Sequence, residues 1–366
     1  MAPIFTPSIC HIDLGAIAHN FRQLGPANRL MPVIKSDAYG HGVLETAQTL
    51  QQAGARRFAV GLASEGAALR EAGHGQQIVL LMGCIGENDW QLARRYELMP
   101  LVGSFAALQK AAATDSPFSV AIKVDTGMRR LGFSLEDAPL VRDYLVSHPH
   151  LRPGMLISHL ACADMPEEES FGAEQKRNFD AFYAVLKDAF PDMLRSLDNS
   201  ASLLTAPKFD ISRPGLAIYG GNPLSQPLDA DLRWAMSVST PIIHIRDLRA
   251  GESVSYGRIY TAEKPMRIGI AACGYATGFG RSLSNCAQVL VNGKRVPQVG
   301  RVCMSMSMVD LTNVPDAKVG DLAWLLGGEA QAGESPVSAT EMADWLDTIP
   351  YEVLCIMGGQ NPRKYV

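Results

Sequence analysis

The sequence predicts an α/β protein, with an N-terminal parallel (β/α)8 TIM-like barrel followed by a C-terminal mainly β domain. Three observations point there. From about residue 30 to 215, short apolar runs alternate with longer segments of helical periodicity. About eight such pairs fit that length, which is the arithmetic of a closed parallel barrel. After about residue 230 the texture changes to short strands and turns. At 366 residues the chain is long for one average domain and suited to two. The expected barrel spans 10–230 and the β domain 231–366, with residues 1–9 joining the latter.

In chain order, the expected barrel strands are "LMPVIK" (30–35), "RFAVGLA" (57–63), "IVLLMG" (78–83), "ELMPLVG" (97–103), "SVAIKVDTG" (119–127), "GMLISHLA" (154–161), "RSLDNSAS" (195–202) and "FDISRPG" (209–215). Helices fall between them. "FGAEQKRNFDAFYAVLKDAF" is the longest, with Phe171, Phe179, Phe182, Val185 and Leu186 at helical spacing. Pro32 and Pro100 lie inside strands, where each removes a ladder donor, so these boundaries are the least fixed. A doubly wound sheet is the rival, weakened because no G-x-G-x-x-G follows the first strand.

In the second half, Asn292-Gly293 marks a hairpin. The methionines of "CMSMSMVD" (303–310) alternate with serines at period two, the mark of a half-buried strand. One helix, "SATEMADWLDTI", is expected near the end.

Composition narrows the function classes. The net charge of −4, from 33 basic and 37 acidic residues without like-charge blocks, argues against nucleic acid or membrane surfaces as partners. No apolar stretch reaches membrane-spanning length. The seven cysteines are scattered with no C-x-x-C pair, which argues against a disulfide framework or structural zinc and for a reducing compartment. The N-terminus has no signal-like pattern, so a cytoplasmic location is expected. No metal-ligand set is apparent: His159, Asp125 and Asp164 would have to converge without supporting partners.

Barrel chemistry gathers at the C-terminal ends of the strands. Those ends carry Lys35, Lys123 with Asp125 and Arg130, His159, Asn199-Ser200 and Arg213, a cationic cup suited to phosphate and carboxylate groups. Singly each has a plain reading: a surface lysine, a core histidine, a loop-anchoring arginine. Lys35 ends an apolar run and precedes Tyr39, Gly40, His41 and Gly42. A lysine in an apolar setting loses basicity and becomes a nucleophile, as Schiff-base chemistry with pyridoxal phosphate requires. Ser200, Gly215 and Tyr39 are the candidates to hold the phosphate.

"VIKSDAYGHG" (33–42) is similar to the cofactor-lysine motif of alanine racemases. "KVDTGMRRLG", "SHLACAD", "DNSAS", "RPGLAIYGG", "SVSYGRIYTA", "GYATGFGR" and "GRVCM" fall in that family's order and spacing, over nearly the whole chain. The resemblance implies that Lys35 holds pyridoxal phosphate and serves as one base, and that Tyr256 is the second, on the opposite face. A racemase needs one base per face. A phenol of reference pKa about 10 must be lowered by neighbouring cations, and the resemblance offers the pair His159 and Arg213. Arg213 is further implied to face the pyridine nitrogen. Tyr39, Asn199, Ser200, Gly215 and Leu216 are implied around the cofactor, Arg130 and the Met304 backbone at the substrate carboxylate, and Tyr275 in the access corridor. Lys123 stands where family members carry a carbamylated lysine. Tyr256 is implied to act in the partner subunit's site, making a homodimer.

Four positions depart from the family's usual residues. Ser36 replaces an alanine, Thr277 and Ser305 replace aspartates, and Gly359 replaces a tyrosine that narrows the pocket entrance. The resemblance implies interconversion of L- and D-alanine for peptidoglycan, and these departures make a racemase of broader specificity (serine, for example) the alternative. Tyr365 or a side chain of the second subunit would fill the gap under the narrower reading. A non-catalytic pyridoxal phosphate protein resembles the barrel alone and lacks the part carrying Tyr256. Related decarboxylases have an acidic residue where Arg213 stands.

Overall fold

The computed structural model describes residues 6–113, 116–224, 226 and 230–366, so part of the 1–9 expectation lies outside the described residues. The chain forms two compact units. One comprises Ile17–Ala38 and Val43–Leu232, the other Met1–Ala16, Tyr39–Gly42 and Arg233–Val366. Strand β1 (Ile9–Ile12) belongs to the latter.

The first unit is the parallel barrel. Strands β2 (Arg57–Val60), β3 (Gln77–Leu80), β4 (Met99–Val102), β5 (Phe118–Lys123), β6 (Leu151–Ile157) and β7 (Leu194–Ser196) pair in sequence order, all parallel. Their centres (Ile78, Val79, Leu80, Val120, Ala121, Ile122) are fully buried, because helices cover a parallel sheet outside and side chains fill it inside. The first and eighth staves do not form regular ladders. They close the ring through single bridges, Val33 to Ala59 and Leu30 to Ser212, backed by backbone bonds from Ile211 N to Arg195 O and from Val33 N to Pro214 O. Pro32 and Pro214, without N–H groups, interrupt the ladder there. Pro100 is accommodated within β4, opposite Leu80.

The second unit adds β8 (Met236–Leu248), β9 (Ser253–Val254), β10 (Tyr260–Thr261), β11 (Met266–Ala271), β12 (Gln288–Val291), β13 (Lys294–Pro297), β14 (Ser307–Asp310), β15 (Leu322–Leu326) and β16 (Arg363–Tyr365). The long β8 organises it, pairing antiparallel with β1, β11 and β15. Asn292 and Gly293 both have positive φ and join β12 to β13 as the two-residue turn the sequence predicts. Two expectations change. Met304 (59% exposed) and Met306 (45%) lie on a turn, and only Ser307 onward is strand, with Met308 buried. A backbone bond from Cys303 N to Met306 O folds the segment before pairing begins. The expected helix is found at Ala339–Leu346, but a second follows at Pro350–Gln360, with proline in its first turn.

That second helix seats the turn Tyr39–Gly42. A Cβ on Gly40 would come within 2.6 Å of Leu354 O, and one on Gly358 would strike the Gly40 carbonyl. Backbone therefore packs on backbone, and only glycine permits it at either position. Arg363 Nη1 donates to Gly40 O at 3.1 Å.

Candidate active site

Lys35 follows directly on the first stave. Residues Ser36, Asp37, Ala38 and Tyr39 all have φ near 54°. A left-handed turn of four non-glycine residues costs about 1–2 kcal/mol for each. Glu65, in the first turn of the helix Ala63–Glu71, offsets this with one carboxylate. Its Oε1 accepts from Ser36 N (2.6 Å) and Asp37 N (3.4 Å), and its Oε2 from Gly61 N (2.7 Å) and Leu62 N (3.0 Å). Asp37 Oδ1 in turn accepts from Val43 N at 2.8 Å. The apolar setting expected for Lys35 is not found: Lys35 is exposed, since the stave ends at Ile34 and the turn carries the lysine out to the barrel end.

The buried lysine is Lys123, at the end of β5. It is 8% exposed, and burial together with the charges of Arg213 and Arg130 lowers its pKa to about 7 against the opposing pull of Asp125. Its Nζ donates to Val124 O and Ser158 Oγ, both at 3.3 Å. The following loop bends back on itself. Asp125 Oδ1 accepts from Gly127 N and Arg129 N, and Gly132 packs so close that a Cβ there would lie 2.5 Å from Asp125 N. This loop presents Arg130, which is exposed. Behind it, the fully buried Gln175 ties two functional segments together. It accepts from Ala161 N at 2.9 Å and donates to His159 O and Thr126 Oγ1.

Arg213 is 5% exposed, and both its terminal nitrogens are engaged. Its guanidinium donates to Ser196 Oγ (2.6 Å), Ser158 O and Leu197 O, and meets His159 Nδ1 at 3.4 Å. Burial lowers its pKa to about 10, so it stays charged at neutral pH. Burial lowers His159 to about 3, with Arg213, Lys123, Arg130 and Lys35 adding to the effect. His159 is thus a neutral imidazole, and the expectation of a cationic histidine-arginine pair is corrected: the charge is Arg213's alone. Next to it the buried Ser200 Oγ accepts from Gly215 N (2.9 Å) and Ala217 N (3.5 Å), and Leu216 is buried. Asn199 caps the helix Ser200–Thr205, its side chain accepting from Ser202 N. Asp198, fully buried, accepts from Ser202 Oγ, Lys208 N and Phe209 N.

The remaining expected residues belong to the second unit. Tyr39 is buried against Tyr351, with ring centroids 5.8 Å apart, and burial pushes its phenol well above the usual range. Tyr256 is 68% exposed on a tight turn flanked by positive φ at Ser255, Gly257 and Arg258. Ser255 Oγ donates to Arg301 O at 2.7 Å, while Tyr275 N and Ala276 N donate to Cys303 O and Met304 O. The loop 301–304 thereby gathers Tyr256, Tyr275 and Met304 into one exposed group. Thr277 is a local brace, its hydroxyl bonded to both Gly274 N and Gly274 O.

Residues 12–223 match the alanine racemase N-terminal domain and residues 235–365 the alanine racemase C-terminal domain. The chain belongs to the alanine racemase family. It is accordingly an isomerase, an amino-acid racemase. An alanine racemase of Nitratidesulfovibrio vulgaris (strain DP4) is 45% identical over 364 residues, 97% of this chain and 96% of that protein. The crystal structure of alanine racemase from E. faecalis superposes with a TM-score of 0.91 at 32% identity, covering 99% of this chain and 98% of that one. The alanine racemase from Bartonella henselae, with covalently bound pyridoxal phosphate, gives 0.88 at 27% identity over 98% and 99%.

The racemase barrel end thus brings Lys35, Lys123, Arg130, His159, Asn199, Ser200, Arg213, Gly215 and Leu216 onto adjoining strand ends. Glu65, Gln175 and Asp198 went unread in the sequence. Each acts on backbone groups far along the chain or across a turn. The one local signal was Glu65 as the third residue after a helix start.

Proposed function

We propose that this racemase interconverts L- and D-alanine with pyridoxal phosphate as cofactor, using Lys35 and Tyr256 as opposed bases in a homodimer, and that the D-alanine serves peptidoglycan. The observation that carries the reading is the barrel end itself, where an exposed and a buried primary amine, a buried charged arginine and a cluster of hydroxyl and amide donors adjoin. The donor set suits the cofactor. Ser200 Oγ with the amides of Gly215 and Ala217 suits a phosphate, and the Lys35 amine suits an aldehyde.

When bound, pyridoxal phosphate supplies the electron sink that makes an amino acid's α-proton acidic. The protein's own groups do the rest. Lys35 Nζ takes or returns the proton on one face, and the Tyr256 phenol, reaching from the partner subunit, serves the other. Arg130 and the Met304 backbone hold the carboxylate. Arg213, charged and without hydrogen-bond acceptors, disfavours a proton on a ring nitrogen facing it. A neutral Lys123 amine adds carbon dioxide with loss of one proton, giving a carbamate that would orient Arg130. Free thiols at all seven cysteines support a cytoplasmic location.

Borohydride treatment of the yellow holoenzyme should fix the cofactor on the peptide containing Lys35. Protein that takes up no pyridoxal phosphate, or is labelled elsewhere, would sink the proposal. A broader specificity has one observation behind it: a Cβ at Gly359 would meet nothing within 4 Å. Chiral chromatography on a panel of L-amino acids should show serine racemised at a rate within about tenfold of alanine. A steep preference for alanine rejects the wider pocket.

A further inference from the structure

We propose that Asp198 is the positioning residue that fixes Arg213 and supplies the negative charge against which its guanidinium is buried, so setting the electrostatic field of the barrel end. The consequence for catalysis rests on the function proposed above; the pairing itself does not.

Asp198 is 0% exposed and its carboxylate gathers three donors from two segments. Oδ1 accepts from Ser202 Oγ at 3.0 Å, and Oδ2 from Lys208 N and Phe209 N, each at 3.1 Å. Its own carbonyl accepts from Arg213 N at 2.8 Å. One residue therefore joins the stretch bearing Asn199 and Ser200 to the stretch that returns as Arg213. The two buried charges share no direct ion pair, so their attraction acts through a weakly screening interior. Of the cations, Lys123 acts on Arg213 directly, while Arg130 and Lys35 join both of them around neutral His159. Asp125 stands on the Lys123 side. Arg195 and Asp210, 3.2 Å apart, neutralise one another, and the Lys208 side chain is exposed. Without the Asp198 charge, the buried guanidinium would sit beside cationic Lys123 with no anion acting on it.

Asn fits the same donors, with Oδ1 toward the two amides and Nδ2 toward Ser202 Oγ, so Asp198→Asn deletes charge while keeping shape. The first measurement is a stability cycle on the cofactor-free protein. Arg213→Met should lower the melting midpoint much less in the Asp198→Asn background than in wild type, because the double variant leaves no charge buried alone. Additive losses overturn the pairing. If Asp198→Asn does not fold, recovery of folding in the double variant supports the pairing and continued failure overturns it. The second measurement is the pH dependence of the cofactor absorption band and of kcat/KM. Asp198→Asn should move both midpoints to lower pH by roughly half a unit, since a more positive site favours deprotonation. Unmoved midpoints in both overturn the field-setting role. A wild-type protein that binds no pyridoxal phosphate would refute the proposed function and leave the stability cycle to judge the pair.

Discussion

Lys123 is the residue whose chemistry most depends on its surroundings. Burial and the adjacent guanidinium hold its pKa at about 7, against 10.5 for a free lysine. The unfolded chain therefore binds more protons than the folded one between those values, so stability should rise as pH climbs from about 7 toward 10.5 and be flat below. In buffer free of carbon dioxide, the melting temperature of wild type should gain more between about pH 6.5 and pH 9 than that of Lys123→Met. Equal gains would mean that the lysine is not held neutral. Lys35 has the opposite character. It sits on an exposed turn, so the role proposed for it rests on position rather than on burial, and nothing in its flanking residues announces which of the two lysines is the buried one.

At the scale of elements, the left-handed turn after Lys35 is the least self-sufficient part of the fold. Ser, Ala and Tyr have no liking for that conformation and Asp only a slight one, and the turn depends on the Glu65 carboxylate from a different helix. Glu65→Ala strands backbone donors worth about 1–3 kcal/mol. It should cut kcat/KM about 10- to 100-fold while lowering the melting temperature only modestly, and Glu65→Gln, keeping one acceptor oxygen, should fall between. A loss of activity no larger than the loss of folded protein would count against the clamp. The same turn shows what was legible in the sequence. The alternation of apolar runs and helices gave the barrel, because burial on both faces leaves a plain apolar signature, and the motif order gave the family. Conformations set by distant partners left no local mark: the four left-handed residues, the turn at Met304–Met306 whose alternation mimicked a strand, and the helix Pro350–Gln360 whose two glycines weakened its helical pattern.

For the whole molecule, the proposed division of labour between subunits has a direct test. Lys35→Ala and Tyr256→Phe should each be nearly inactive alone. Mixed in equal amounts and reassembled, they should recover about a quarter of wild-type activity, since half the dimers are hybrid and each hybrid has one intact site. No recovery would mean that both bases come from one chain. The glycine-on-glycine seat of Gly40 and Gly358 bears on how this enzyme can be dissected. A cut at residue 230 looks natural by sequence, yet it would leave Lys35 on the barrel fragment while removing the platform for Tyr39–Gly42, only four residues away. The proposed cofactor lysine and the expected phosphate ligand are neighbours on the chain with separate structural owners. Exchange of C-terminal halves between related enzymes should therefore carry helix Pro350–Gln360 and the turn 39–42 together as one cassette.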